Sequence, residues 1–148
     1  DYFKSIIQNK KITIRSPNSI RPWQYILRPI SSYIKIIERY YSEKNYYDSF
    51  NIGPSKQSHY RVIDLIKRLD KINNIKKSYF IKKSTLKESK ILQLNNKKFE
   101  KNFIYKKEYS LEECLKFTNE LYFIFNKKSK KELSIFINEH IKSYFSNI

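Results

Sequence analysis

A single glycine, Gly53, serves all 148 residues of this chain, and that scarcity limits the backbone more than any other feature. Tight turns with positive φ and loops that cradle phosphates both draw on glycine. A Gly-rich strand–turn–helix loop for a dinucleotide pyrophosphate needs several glycines at fixed offsets, and one glycine cannot supply it. The turn signals that remain are Ser16-Pro17-Asn18, the prolines Pro22 and Pro29, and Gly53-Pro54.

Between these breaks the apolar pattern alternates between helix and strand. Tyr2-Phe3 and Ile6-Ile7 are spaced as the tail of an amphipathic helix, and Lys11–Arg15 alternates as a strand. The residue before a proline is pushed toward extended conformations, so Arg21 and Arg28 are expected outside helices. A long helix is expected from near Ile30, with Ile30, Tyr33, Ile34, Ile37 and Tyr41 as its buried stripe. Asp48–Ile52 reads as a short buried strand, with Gly53 permitting a tight exit from it. Val62, Leu65, Ile66, Leu69 and Ile72 predict another helix, and Ser78–Lys82 and Ile91–Leu94 predict short strands. Ser110-Leu111-Glu112-Glu113 is a capping box. It opens a helix expected to bury Leu111, Leu115, Leu121, Tyr122 and Phe125. A last helix uses Leu133, Phe136, Ile137, Ile141, Tyr144 and Phe145, and the Lys-rich stretch 126–131 is the linker candidate. Helices alternating with short strands give an α/β or α+β expectation.

Composition excludes several classes. No run of about eighteen uncharged apolar residues exists, so no membrane span is expected. No charged start leads into an apolar signal core, and a cytoplasmic protein is expected. Cys114 stands alone, with only His59 and His140 beside it as soft ligands, which leaves neither a disulfide framework nor a zinc site. The chain lacks Met, so a processed product or a piece of a longer protein is expected. Net charge is +17, which attracts polyanions. Lys, Asn, Ile and Tyr are all A/T-rich in codon terms, however, and the lysines are spread without a visible patch. Base bias therefore competes with nucleic-acid binding as the source of the charge.

Chemistry concentrates in Ile20-Arg21-Pro22-Trp23-Gln24-Tyr25-Ile26, which holds the only Trp. An Arg beside an aromatic on a short rigid connection makes a good phosphate hook, because its planar fork takes two oxygens at once. Trp23 reads mainly as the buried anchor that sets Arg21.

The run Ile14-Arg15-Ser16-Pro17-Asn18-Ser19-Ile20-Arg21-Pro22-Trp23-Gln24, then Leu27 and Pro29, then Asn51-Ile52-Gly53-Pro54, resembles the CDP-glucose 4,6-dehydratases. These are extended short-chain dehydrogenase/reductases. Glu88, Leu92, Leu94, Lys98, Tyr105, Tyr109, Thr118, Tyr122 and Glu132-Leu133 continue the likeness more weakly, with Ile104 and Lys107 departing from it. The resemblance implies an α/β chain: the C-terminal, substrate-binding part of that fold, without its Rossmann half. Residues 1–126 would form the sugar-nucleotide-binding region and 127–148 a helical extension. The superfamily's Tyr-x-x-x-Lys pair is missing at its expected place. Tyr79 and Lys83 have the spacing but lie far downstream.

For single residues the resemblance implies pyrophosphate contact by Arg21, ligand-hydroxyl contacts by Gln24 and Tyr25, and a base-reading strand at Ile14-Arg15. Trp23 and Glu88 complete the expected substrate-binding set, Glu88 as an orienting group or simply a solvated charge. No catalytic residue, metal ligand or cofactor contact is expected in this chain. NAD and a homodimer are expected of the full-length enzyme, and a sugar nucleotide such as CDP-glucose as the ligand. His59 and His140 read as isolated, partly exposed residues. Two rivals remain: a small basic nucleic-acid-binding module, and a degenerate relative kept as an interaction element.

Overall fold

The computed structural model describes residues 1–43, 48–54, 59–82, 88–104, 109–127 and 129–146. In chain order these contain α1 (Tyr2–Ile7), β1 (Ile12–Ile14), β2 (Ile20–Pro22), α2 (Leu27–Ser42) and β3 (His59–Arg61). There follow α3 (Val62–Ile72), β4 (Tyr79–Ile81), α4 (Lys97–Asn102), α5 (Leu111–Lys127) and α6 (Lys130–Ser146). The class is mixed α/β, with long helices and short strands, as the sequence pattern leads one to expect.

Strands β1 and β4 pair in parallel, Ile12 opposite Tyr79. Strands β2 and β3 pair antiparallel, Arg21 opposite Tyr60. The other edge of β2 is closed by a parallel bridge from Ile20 to Ile91, with Leu92 N donating to Ile20 O at 3.1 Å. Arg21 therefore sits on a strand held from both sides. Burial of Tyr2, Ile14, Ile63, Leu65, Ile66, Leu69, Tyr79, Leu111 and Leu115 builds the main core, against which Trp23 and Tyr60 pack. Within it a polar network ties four parts of the chain. The Tyr2 hydroxyl donates to Asp70 Oδ1 (3.0 Å), Ser78 N donates to Asp70 Oδ2 (3.1 Å), and Asn73 Nδ2 donates to Asn119 Oδ1 (2.8 Å).

The capping box forms as its sequence requires. Ser110 N donates to Glu113 Oε2 at 2.8 Å, and Glu113 N returns to Ser110 Oγ at 3.3 Å. Ser129 and Glu132 repeat the device at the start of α6, at 3.0 and 3.3 Å. The same Ser-x-x-Glu signal stood in the sequence.

Several expectations need correction. Arg28 is helical, because α2 begins at Leu27. Pro29 then falls in the first turn, where the missing N–H forfeits no helical bond. Arg28 is also held in place by tertiary contacts, since its Nε donates to Gly53 O at 3.2 Å. The stripe of α2 expected to be buried is exposed: Tyr33 is 55% and Ile37 53% accessible. The face turned inward is Leu27, Arg28, Ser31 and Ser32. Asp48–Ile52 forms no strand, and Ile91–Leu94 supplies only the single bridge. Neither β3 nor α4 was expected. Tyr122 and Phe125 of α5, and Ile141 and Phe145 of α6, are exposed rather than core. Gly53 has no positive φ. Its requirement is close approach, since a Cβ there would stand 2.9 Å from Leu94 Cβ. Tyr79 is buried in β4. Lys83, Tyr105 and Lys107 lie outside the described residues, as does Lys128 in the linker candidate.

Candidate functional site

Backbone pairing on both edges of β2 fixes the base of Arg21, and its side chain is braced as well. Nη1 donates to Ile20 O (2.9 Å) and Ser89 O (3.0 Å), and Nη2 donates to Glu88 Oε2 (3.2 Å). The two candidate residues 67 positions apart in sequence are thus one unit. Glu88 is a partnered charge rather than a free solvated one. The Arg21 side chain remains 23% accessible and Glu88 46%, so the pair stands at the surface. A planar cation held at its root, with one exposed carboxylate partner, can exchange that partner for a phosphate oxygen.

The chain then turns away. Trp23 N donates to Arg21 O at 3.1 Å, and the indole Nε1 donates to Tyr60 O at 3.0 Å, pinning the turn to β3. This is the anchoring role expected for the Trp. Gln24 Nε2 reaches Ile52 O at 3.4 Å, while its buried Oε1 has no hydrogen-bond partner among the described residues. Trp23, Gln24 and Tyr25 line an apolar cavity of about 460 Å³ together with Arg28, Tyr109 and Cys114. Arg15 is exposed at the end of β1 and makes no hydrogen bond or ion pair among the described residues. The expected set therefore divides into an Arg21–Glu88 surface pair, a Trp23–Gln24–Tyr25 cavity wall, and Arg15 apart.

Tyr25 shows what the sequence missed. It is buried with Leu27 and Tyr144, and Tyr109, Cys114 and Phe117 pack on them. Its hydroxyl hydrogen-bonds to His140 Nε2, and the two rings meet edge-on at 5.5 Å. His140 is therefore not isolated. Burial holds the His140 imidazole below its usual range, with Glu120 opposing. Burial, followed by repulsion from Cys114, Tyr109 and Tyr144, pushes Tyr25 up to about 12. Burial also pushes the Cys114 thiol up to about 11, so it is no thiolate nucleophile at neutral pH. A neutral imidazole accepts and a protonated phenol donates, so both shifts suit the bond. The available signal was the helical spacing of His140 and Tyr144, one turn apart on α6.

Among the described residues no cluster of His, Cys, Asp or Glu could hold a metal ion. No described helix is long and apolar enough to cross a membrane.

Short strands paired around an Arg-Pro-Trp turn, framed by amphipathic helices, make up a helix-rich α/β unit. The chain is similar to CDP-glucose 4,6-dehydratase of Salmonella typhimurium (strain LT2), at 42% identity over 55 residues, 36% of this chain and 15% of that protein. Its structure matches UDP-glucuronic acid 4-epimerase from Bacillus cereus, solved in complex with UDP-glucuronic acid and NAD, with a TM-score of 0.65. That match has 24% identity and covers 78% of this chain and 36% of the epimerase chain. No protein-family model matches the sequence. The matched regions span well under two thirds of either protein's length.

Proposed function

We propose that this chain is the sugar-nucleotide-binding portion of an enzyme like CDP-glucose 4,6-dehydratase, with Arg21 as its pyrophosphate contact. One observation carries the reading: Arg21 is rooted by two backbone carbonyls and has an exposed, exchangeable partner in Glu88. Pyrophosphate would replace Glu88 at Nη2, while the Trp23 clamp on Tyr60 keeps the strand end from moving. The likeness to the Salmonella dehydratase supports the CDP-sugar, and the epimerase's UDP-sugar supports the wider substrate class.

The residues of this chain do not fit NAD. The one glycine is buried, lacks positive φ and faces Leu94, so it opens no helix toward a pyrophosphate. No hydride step is assigned to this chain, and it is proposed to be inactive alone. Hydride chemistry comes with NAD when the complete enzyme binds it.

The test is titration with CDP-glucose, read by fluorescence of the single Trp, which stands two residues from Arg21. Saturable binding that weakens about tenfold or more in Arg21→Ala is expected, the effect of losing a charge-assisted phosphate contact. Equal affinity in the variant, or no binding at millimolar ligand, overturns the assignment. Retention on single-stranded DNA with a steep salt slope would instead favour the basic-module reading.

A further inference from the structure

The cavity of about 460 Å³ that Trp23 and Tyr25 line does not include Arg21, and its walls are of a different chemical kind. Helices α3 and α5 give it leucines, and the turn after β2 gives it the rings of Trp23 and Tyr25. The Tyr25 hydroxyl is engaged by His140, and that of Thr118 donates to Cys114 O at 2.7 Å, so few polar atoms are left to meet a ligand. A sugar carries a hydroxyl on most of its carbons and would strand them against such walls. Arg28 is the exception. Among the described residues lining the cavity it is the only charged one, and it is buried. Its Nε donates to Gly53 O at 3.2 Å, and Nη2 stands 3.9 Å from Glu100, a long ion pair with an exposed carboxylate. A buried guanidinium in an apolar wall favours an anion nearby, because a low dielectric magnifies its charge.

Size and access narrow the ligand further. A cavity of about 150 Å³ takes one benzene ring, so this one has the volume for about two to three fused rings. Phe3 and Tyr122, both lining residues, stack at 4.3 Å with their planes 10° apart. Tyr122 is exposed, so the cavity reaches solvent beside that pair.

We propose that this cavity binds a flat aromatic carboxylate of about two to three rings, with its rings against Trp23 and its carboxylate toward Arg28. Ligand rings meet such side chains in offset or edge-on stacks, and a guanidinium fork takes carboxylate oxygens in its plane. The site is separate from the phosphate contact assigned to Arg21 and does not depend on that reading.

The test uses the full chain and 2-naphthoate, followed through the single Trp and the single Cys, both of which line the cavity. A saturable change in Trp23 emission is expected. Alkylation of Cys114 by N-ethylmaleimide should slow about tenfold at about ten times the probe's Kd, as mass action requires of a shielded group. Neutral 2-naphthamide should bind about fivefold weaker or more, having no charge to offer Arg28. Thr118→Phe, which fills the cavity from α5, should abolish the response while circular dichroism shows unchanged helicity. No saturable response at millimolar probe, an unchanged Cys114 rate, or binding that survives Thr118→Phe overturns the proposal. Equal affinity for the amide overturns it too, because the cavity would then read shape alone. The Cys114 and amide comparisons use the unaltered chain, so they decide the matter even where Thr118→Phe does not fold. Displacement of 2-naphthoate by CDP-glucose overturns it by making the cavity part of the sugar-nucleotide site. Naphthoate binding without CDP-glucose binding upholds it and removes only the reading of Arg21.

Discussion

The Tyr25 hydroxyl and His140 Nε2 form a hydrogen bond that ties the turn after Arg21 to the last helix. Phe117 lies against the same imidazole at 4.5 Å, so α5 shares the contact. Tyr25→Phe keeps the ring packing and removes only the bond. It is expected to cost about 1 kcal/mol, the net worth of one partly buried hydrogen bond. Urea denaturation of the two proteins measures the difference directly.

The same contact gives a pH dependence with a definite sign. His140 is held below its ordinary value of 6.5 by burial, so the unfolded chain takes up a proton before the folded one does. The contribution is fully present above 6.5 and is lost as pH falls through the lower folded value. Thermal midpoints at pH 7.5 and about pH 5 should fall further apart in the native chain than in His140→Phe. Equal spacing in both proteins would show that the acid sensitivity lies elsewhere.

Arg21 and Glu88 make a surface pair, so removing the carboxylate charge should scarcely change stability. Its effect should appear in ligand binding, because Glu88 competes with an incoming phosphate for Nη2. Glu88→Gln is expected to tighten CDP-glucose binding by about twofold to fivefold, the range an exposed ion pair supports. Weaker binding in this variant would make Glu88 a ligand contact instead of a competitor.

Gly53 is held where no side chain fits. Gly53→Ala brings a methyl to 2.9 Å from Leu94 Cβ and strains the segment whose carbonyl accepts from Arg28 and Asn96. A loss of about 1–3 kcal/mol is expected, as for overpacking. Leu94→Gly in the same protein removes the atom that is met. The double variant should therefore lose less than the sum of the two single substitutions.

Asp70 is buried and accepts from both the Tyr2 hydroxyl and Ser78 N. Asp70→Ala leaves two donors without their acceptor and should cost about 2–6 kcal/mol, at about 1–3 kcal/mol for each stranded buried group. Tyr2→Phe, which removes one donor along with its need, should cost much less. Comparable losses in the two variants would assign the effect to something other than unsatisfied donors.

Helix positions and caps were legible in the sequence because they depend on neighbours three or four residues away, as at Ser110 and Glu113. Arg21 and Trp23 were legible as a rigid pair for the same reason, since Pro22 fixes the chain between them. What pairs with them was harder. Tyr60, Ser89 and Glu88 come from distant segments, and only the likeness to a known family singled out Glu88. The period of α2 was read correctly, but its direction was not. Apolar spacing identifies which residues share a face and is silent on where that face points. Asp48–Ile52 failed for a related reason: a strand needs a neighbour, and no described residue supplies one. His140 was missed because its spacing with Tyr144 shows only that the two share a helix face, and the partner they meet, Tyr25, lies more than a hundred residues away in sequence.

The outward apolar face of α2 governs how the free chain behaves in solution. Thirty-one basic residues against fourteen acidic ones keep copies apart at low ionic strength, and this repulsion is what masks the stickiness of Tyr33, Ile37 and Tyr41. At about 0.5 M salt the Debye length shrinks to well under 8 Å, and the masking goes with it. The free chain is therefore expected to scatter more light as salt is raised from about 0.05 M to about 0.5 M, and unchanged scattering would show that charge does not hold its copies apart.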